Sequence, residues 1–228
     1  MSIKKIIIGL TISLILSSGS VFAAKVMETK YFGDVNPVSI AAAIAIGLFI
    51  INKFIEFFSK KNARKRKIEA LKTIISEEIK LNYWVWKQIE SICTLVKEGH
   101  SNNSYSVVQN ASGDEMFNCS WPNDDGGGAG SGSSSQTFPP VVDTMFNKII
   151  VQIAEIDKAF YQKVILYHKS IADLKHLKTL VRNHTDEPKY LLTDAADYVL
   201  RELPGIYTSM DDLYEICTGS ILVDHRKR

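Results

Sequence analysis

The groups in this chain with chemical potential are its histidines, its three cysteines and one glycine-rich run. His168, His176 and His184 stand eight residues apart, and at about 100° per residue each step turns about 80° around a helix, so they share no face. Asp173 and His176 do share one, at the spacing of an acid and a base, but on a polar helix side with no nucleophile beside them. Cys93, Cys119 and Cys217 make no Cys-x-x-Cys pair and read as free thiols of a reducing compartment. The run Gly126-Gly127-Gly128-Ala129-Gly130-Ser131-Gly132 lacks the Lys and the following helix of a phosphate-binding loop. Asn123-Asp124-Asp125-Gly126 lacks the alternate ligand spacing and closing glutamate of a calcium loop. These patterns predict no enzyme, no catalytic residue, no metal site and no cofactor.

What the chain does carry is a strong division of polarity. At 228 residues with a formal net charge of +2, its apolar residues crowd before Phe58. Lys60, Lys61, Arg64, Lys65, Arg66 and Lys67 then form a basic cluster with no acid among them, while from Ile68 onward 16 Lys and Arg face 22 Asp and Glu. An acidic body does not displace counterions from phosphates, so nucleic acid is not an expected partner.

Lys4 and Lys5 precede an uncharged run from Ile6 to Ala24, with Ser17, Ser18, Gly19 and Ser20 before Val21-Phe22-Ala23. Residues 1–23 read as a bacterial signal peptide or, alternatively, as a first membrane span. A second apolar stretch follows a short external segment, 24–36. Asn36 caps it, Pro37 fits its first turn, and Val38 to Phe58 gives about 21 residues, or about 31 Å of helix, the thickness of a bilayer core. Residues 37–58 are expected to cross the bacterial inner membrane. The basic cluster behind them marks residues 59–228 as cytoplasmic and suits contact with anionic lipid. Ser39, Ala43 and Gly47 recur every fourth residue, a strip of small side chains that lets helices associate in lipid and adds a homo-oligomer to the expected partners.

Beyond the membrane the pattern is helical. No Pro or Gly lies between Gly47 and Gly99, so one helix of about 60 residues is expected to run out of the membrane, burying Leu71, Ile75, Ile79, Tyr83, Trp86, Ile89, Cys93 and Val96. A second helix over 141–184 carries Phe146, Ile149, Ile153, Ile156, Phe160, Val164, Tyr167, Ile171, Leu174 and Val181 in a near-heptad stripe. The expected fold class is all-α, with helices 59–98 and 141–184 paired as a long antiparallel hairpin. Leu203-Pro204-Gly205 is expected to divide 185–228 into short helices ahead of a basic tail, His225-Arg226-Lys227-Arg228. The connector 99–140 reads as mostly mobile, with Val107, Val108, Met116, Phe117 and Trp121 as its ordered patch or docking motif. Trp84 and Trp86 project about 200° apart, so at most one belongs to the hairpin seam and the other faces a further helix, a second subunit or solvent; Trp84, Trp86 and Trp121 are the candidate partner contacts.

In the order of its segments, spans of the type of Ile6 to Ala24 and Val38 to Phe58 followed by a small cytoplasmic domain, the chain resembles the two-transmembrane effectors of bacterial anti-phage defence systems. The resemblance implies a membrane-perturbing activity held in check by the cytoplasmic domain. The residues by themselves favour a simpler function, an inner-membrane-anchored helical adaptor or scaffold that presents a coiled-coil-like hairpin to a protein partner.

Overall fold

The computed structural model describes residues 37–99, 102–121 and 132–223. The expected signal peptide or first span (1–23), the external segment (24–36), the glycine run up to residue 131 and the basic tail lie outside them. The chain divides into two compact units, Met1–Lys60 and Lys61–Arg228.

The described part of the first unit is the beginning of helix α1, Pro37–Glu98, which is 62 residues long as the unbroken Pro- and Gly-poor sequence predicts. Its large apolar side chains are exposed on every side, among them Ile44, Leu48, Phe49, Ile51, Phe54, Ile55 and Phe58. Glu56 pairs with Lys53 at 3.1 Å and with Lys60 at 2.6 Å. Among the described residues no helix is long and apolar enough to cross a membrane. The uncharged part of α1 is Val38–Asn52, about 22 Å of helix, and Lys53 and Glu56 follow it. The side chains of Ser39 and Ala43 lie outside the described ones, and a Cβ on Gly47 would meet nothing within 4 Å.

The second unit is mostly helical but not all-α. After α1 come three strands, β1 (Ser104–Gln109), β2 (Glu115–Trp121) and β3 (Gly132–Thr137), then helices α2 (Thr144–Ile156), α3 (Lys158–Asn183) and α4 (Lys189–Thr218). The strands form an antiparallel sheet in the order β1-β2-β3, with Tyr105 opposite Cys119 and Phe117 opposite Gln136. Within the connector, the patch Val107, Val108, Met116, Phe117 and Trp121 that was expected to be ordered lies on β1 and β2. The turn between these strands explains why: Asn110 accepts the N–H groups of Ser112 and Asp114 on its side-chain oxygen, and Gly113 takes φ 83°, which a side chain would oppose. Phe117 and Phe138 are fully buried beneath the sheet. Glu115, at the start of β2, ties it to α3 through Lys178 and Arg182, each at 2.6 Å.

The expected single helix over 141–184 is broken at Asp157. Its backbone turns to an extended conformation, and its carboxylate accepts the Phe160 N–H at 3.0 Å, so one residue ends α2 and caps α3. This reversal changes the topology. Glu78 of α1 meets Met145 and Arg64 meets the Ile156 carbonyl, so α2 runs antiparallel to α1. Asn82 meets Tyr167 while Lys72 lies over the Phe160 ring, so α3 runs parallel to α1. Lys97 meets Asp197 and Trp86 meets Leu203, so α4 descends again. The expected two-helix hairpin is replaced by an up-down-up-down bundle.

Helix α4 is the other departure. Pro204 was expected to end a helix, yet α4 continues for 30 residues. Val199, Leu203, Ile206, Met210 and Leu213 are buried in one stripe on both sides of the proline, and that burial, about 1.5–3 kcal/mol per large side chain, outweighs the single backbone donor that proline lacks. The helix ends at Gly219, whose φ of 75° is the left-handed cap.

Candidate binding groove

Helices α3 and α4 are joined by the short stretch 184–188 and pack side by side. On α3 the buried stripe is Phe160, Val164, Tyr167, Ile171, Leu174 and Val181, as the heptad-like spacing predicts, with Leu177 added to it. On their outer side the two helices leave a groove of about 700 Å³. Leu177, Ile206 and Leu213 form its buried floor; Leu166, 56% exposed, and Tyr198, 40% exposed, stand at its walls.

The sequence makes the two walls opposite in charge. Helix α3 carries six basic residues and only Asp173 as an acid, whereas α4 carries six acids and only Lys189 and Arg201 as bases. The groove therefore has Lys163 and Lys169, with Asp173 and His176 beyond them, along α3 and Glu202 and Asp212 along α4. Gly205 lies between these acids, and a Cβ there would meet nothing within 4 Å, so the α4 wall has a notch. Thr208 closes the proline turn by donating its hydroxyl to the Pro204 carbonyl at 3.0 Å. The arrangement can bind a surface with an apolar ridge and charged edges.

The groups with chemical potential are not brought together. Asp173 and His176 both line the groove, with no hydrogen bond between them among the described residues. His168 stacks on Phe146 at 3.6 Å, and the His184 ring lies 2.8 Å from the Leu180 carbonyl. Burial pushes the Cys93 and Cys217 thiols up to about 12 and raises that of Cys119, so none is an activated nucleophile at neutral pH. Among the described residues no group of three or more His, Cys, Asp and Glu is placed to hold a metal.

Of the three candidate partner tryptophans, Trp86 is a correction. It is buried, stacks on Tyr83 at 5.9 Å, and donates its indole N–H to the Leu203 carbonyl at 2.8 Å, so it belongs to the α1–α4 core. Trp84 is half-buried. Trp121 is 39% exposed, and its ring occupies the space above Gly132, where a Cβ would come within 2.4 Å. In the basic cluster the side chains of Lys60, Lys61, Arg64, Lys65, Arg66 and Lys67 are exposed, with Arg64 donating to the Ile156 carbonyl at the C-terminal end of α2 and Lys60 engaged with Glu56. The groove itself was not anticipated, although the basic composition of 158–183 beside the acidic composition of 189–218 was its signal in the sequence.

No protein family, curated protein or solved structure matches the chain.

Proposed function

We propose that the chain is a membrane-anchored helical scaffold: the start of α1 holds it in the bacterial inner membrane, and the unit from Lys61 is a cytoplasmic module that offers its α3/α4 groove to a protein partner. The observation that carries the reading is the exposure of Ile44, Leu48, Phe49, Ile51, Phe54, Ile55 and Phe58 on all sides of α1, a surface that water does not tolerate and lipid does. Anchorage requires Lys53 and Glu56 to be accommodated. Pairing of Glu56 with Lys53 and Lys60 and extension of the Lys53 ammonium to the headgroups supply that accommodation and lengthen the usable apolar helix toward Phe58.

The module needs no chemistry of its own on this reading. Its contribution is to hold two rigid helices with opposite charge along a common groove, at the inner face of the bilayer.

The test is fractionation of bacteria expressing the full chain or a chain beginning at Ser59. The full chain is expected to remain with membranes after alkaline carbonate washing and the shorter one to leave them. Release of the full chain by carbonate contradicts anchorage.

A further inference from the structure

We infer that the partner for the groove is a second copy of this chain, bound about a two-fold axis parallel to α3 and α4. A symmetric pair places the same patch on both sides of the contact, so the patch must complement itself. Lys163 and Lys169 on one wall and Glu202 and Asp212 on the other do so. Among the described residues none of these four is held in an ion pair or hydrogen bond within its own chain.

The charge pattern also selects the axis. Rotation about an axis along the helices lays α3 of each copy on α4 of the other, and every lysine meets a carboxylate. Rotation about an axis across them lays α3 on α3, and lysine meets lysine. Like charges across a contact are costly, so only the first arrangement is favoured.

The levels agree as well. With α3 and α4 antiparallel, joined by 184–188 and each rising about 1.5 Å per residue, Lys169 is level with Glu202, Leu166 with the Gly205 notch, and Lys163 is within about a turn of Asp212. The rotation preserves these levels, so Leu166 of each copy projects toward the partner's notch while the charged pairs close on either side. Two helical layers packed in this way make a four-helix bundle whose centre is the former groove. The inference deepens the anchored-scaffold reading and rests on it in one respect: two chains held in one bilayer are kept close enough for their modules to meet.

The experiment is sedimentation equilibrium of the detergent-solubilised full chain at low salt. Wild-type protein is expected at the mass of two chains. Lys163→Glu/Lys169→Glu and Glu202→Lys/Asp212→Lys are each expected at the mass of one, with association weakened at least about 100-fold. Mixing the two variants, or combining all four substitutions in one chain, restores opposite charges and is expected to restore the pair. Should one double variant fail to fold by circular dichroism, the fourfold variant decides: two chains support the inference and one chain overturns it. A one-chain mass for wild type overturns it, and so does a two-chain mass retained in both double variants, which assigns pairing to the anchor helix. Carbonate extraction of the same proteins reads anchorage separately.

Discussion

The Glu78 carboxylate of α1 accepts the Met145 backbone N–H at 3.0 Å, so the first turn of α2 is capped by another helix. Asp143, the residue in the cap position, makes no side-chain cap hydrogen bond. Four residues further along α1, Asn82 exchanges two hydrogen bonds with Val142 and donates a third to the Tyr167 hydroxyl at 2.9 Å. These two buried side chains lock the start of α2 to α1 and fix where α3 lies beside them. Such groups specify one arrangement of an apolar bundle, because sliding any helix leaves buried donors unmet.

Replacing Glu78 by Ala is expected to cost about 1–2 kcal/mol, the range of a lost helix cap. Urea unfolding of the solubilised chain measures it.

The same residue gives a pH dependence with a definite sign. Burial raises the Glu78 carboxyl above its ordinary value, with Asp143 adding to the rise against the Met145 N–H. The folded state therefore binds that proton more tightly than the unfolded state, and its contribution to stability increases as pH falls through the folded value toward the unfolded one. Wild type is expected to gain stability relative to Glu78→Gln between pH 7 and pH 4.5. A relative loss over that interval contradicts the assigned environment.

Trp86→Phe keeps most of the packing against Tyr83 and Tyr207 and loses the bond to the Leu203 carbonyl; about 1 kcal/mol is expected. Trp86→Ala adds a cavity and is expected to cost about 3–5 kcal/mol. Thermal unfolding of the two variants separates the two contributions.

How much of this was legible in the sequence depended on range. The long α1 and most of the buried stripe on α3 followed from periodicity that acts locally. The reversal at Asp157 did not, because an unbroken apolar stripe on either side is equally consistent with one helix until tertiary packing rewards the turn. Pro204 misled for the related reason that burial of Leu203 and Ile206 outweighs a local breaker. In 104–137, glycine and serine content hid two strands whose signal was the turn Asn110 to Gly113 between Val108 and Met116. The groove was legible only as a difference in charge between two helices not yet known to be neighbours.

Pro204→Ala restores a backbone donor inside α4 and is expected to raise stability by about 1–3 kcal/mol. A loss of stability instead contradicts an α4 continuous through residue 204.

The thiols of Cys93 and Cys217, pushed up to about 12 by burial, are expected to resist maleimide at pH 7.5 until the chain is unfolded in urea, as is Cys119. Stoichiometric labelling of the folded protein, read by mass spectrometry, contradicts the packing described.

These quiet thiols make the most direct test of anchorage practicable, since an introduced cysteine reports against a silent background. Ala45→Cys and Lys67→Cys are treated with a membrane-impermeant maleimide in intact spheroplasts and in inverted inner-membrane vesicles. Residue 45 is expected to stay unlabelled in both until detergent is added, and residue 67 to label in the inverted vesicles alone. Equal labelling of the two positions before detergent contradicts a scaffold anchored through α1.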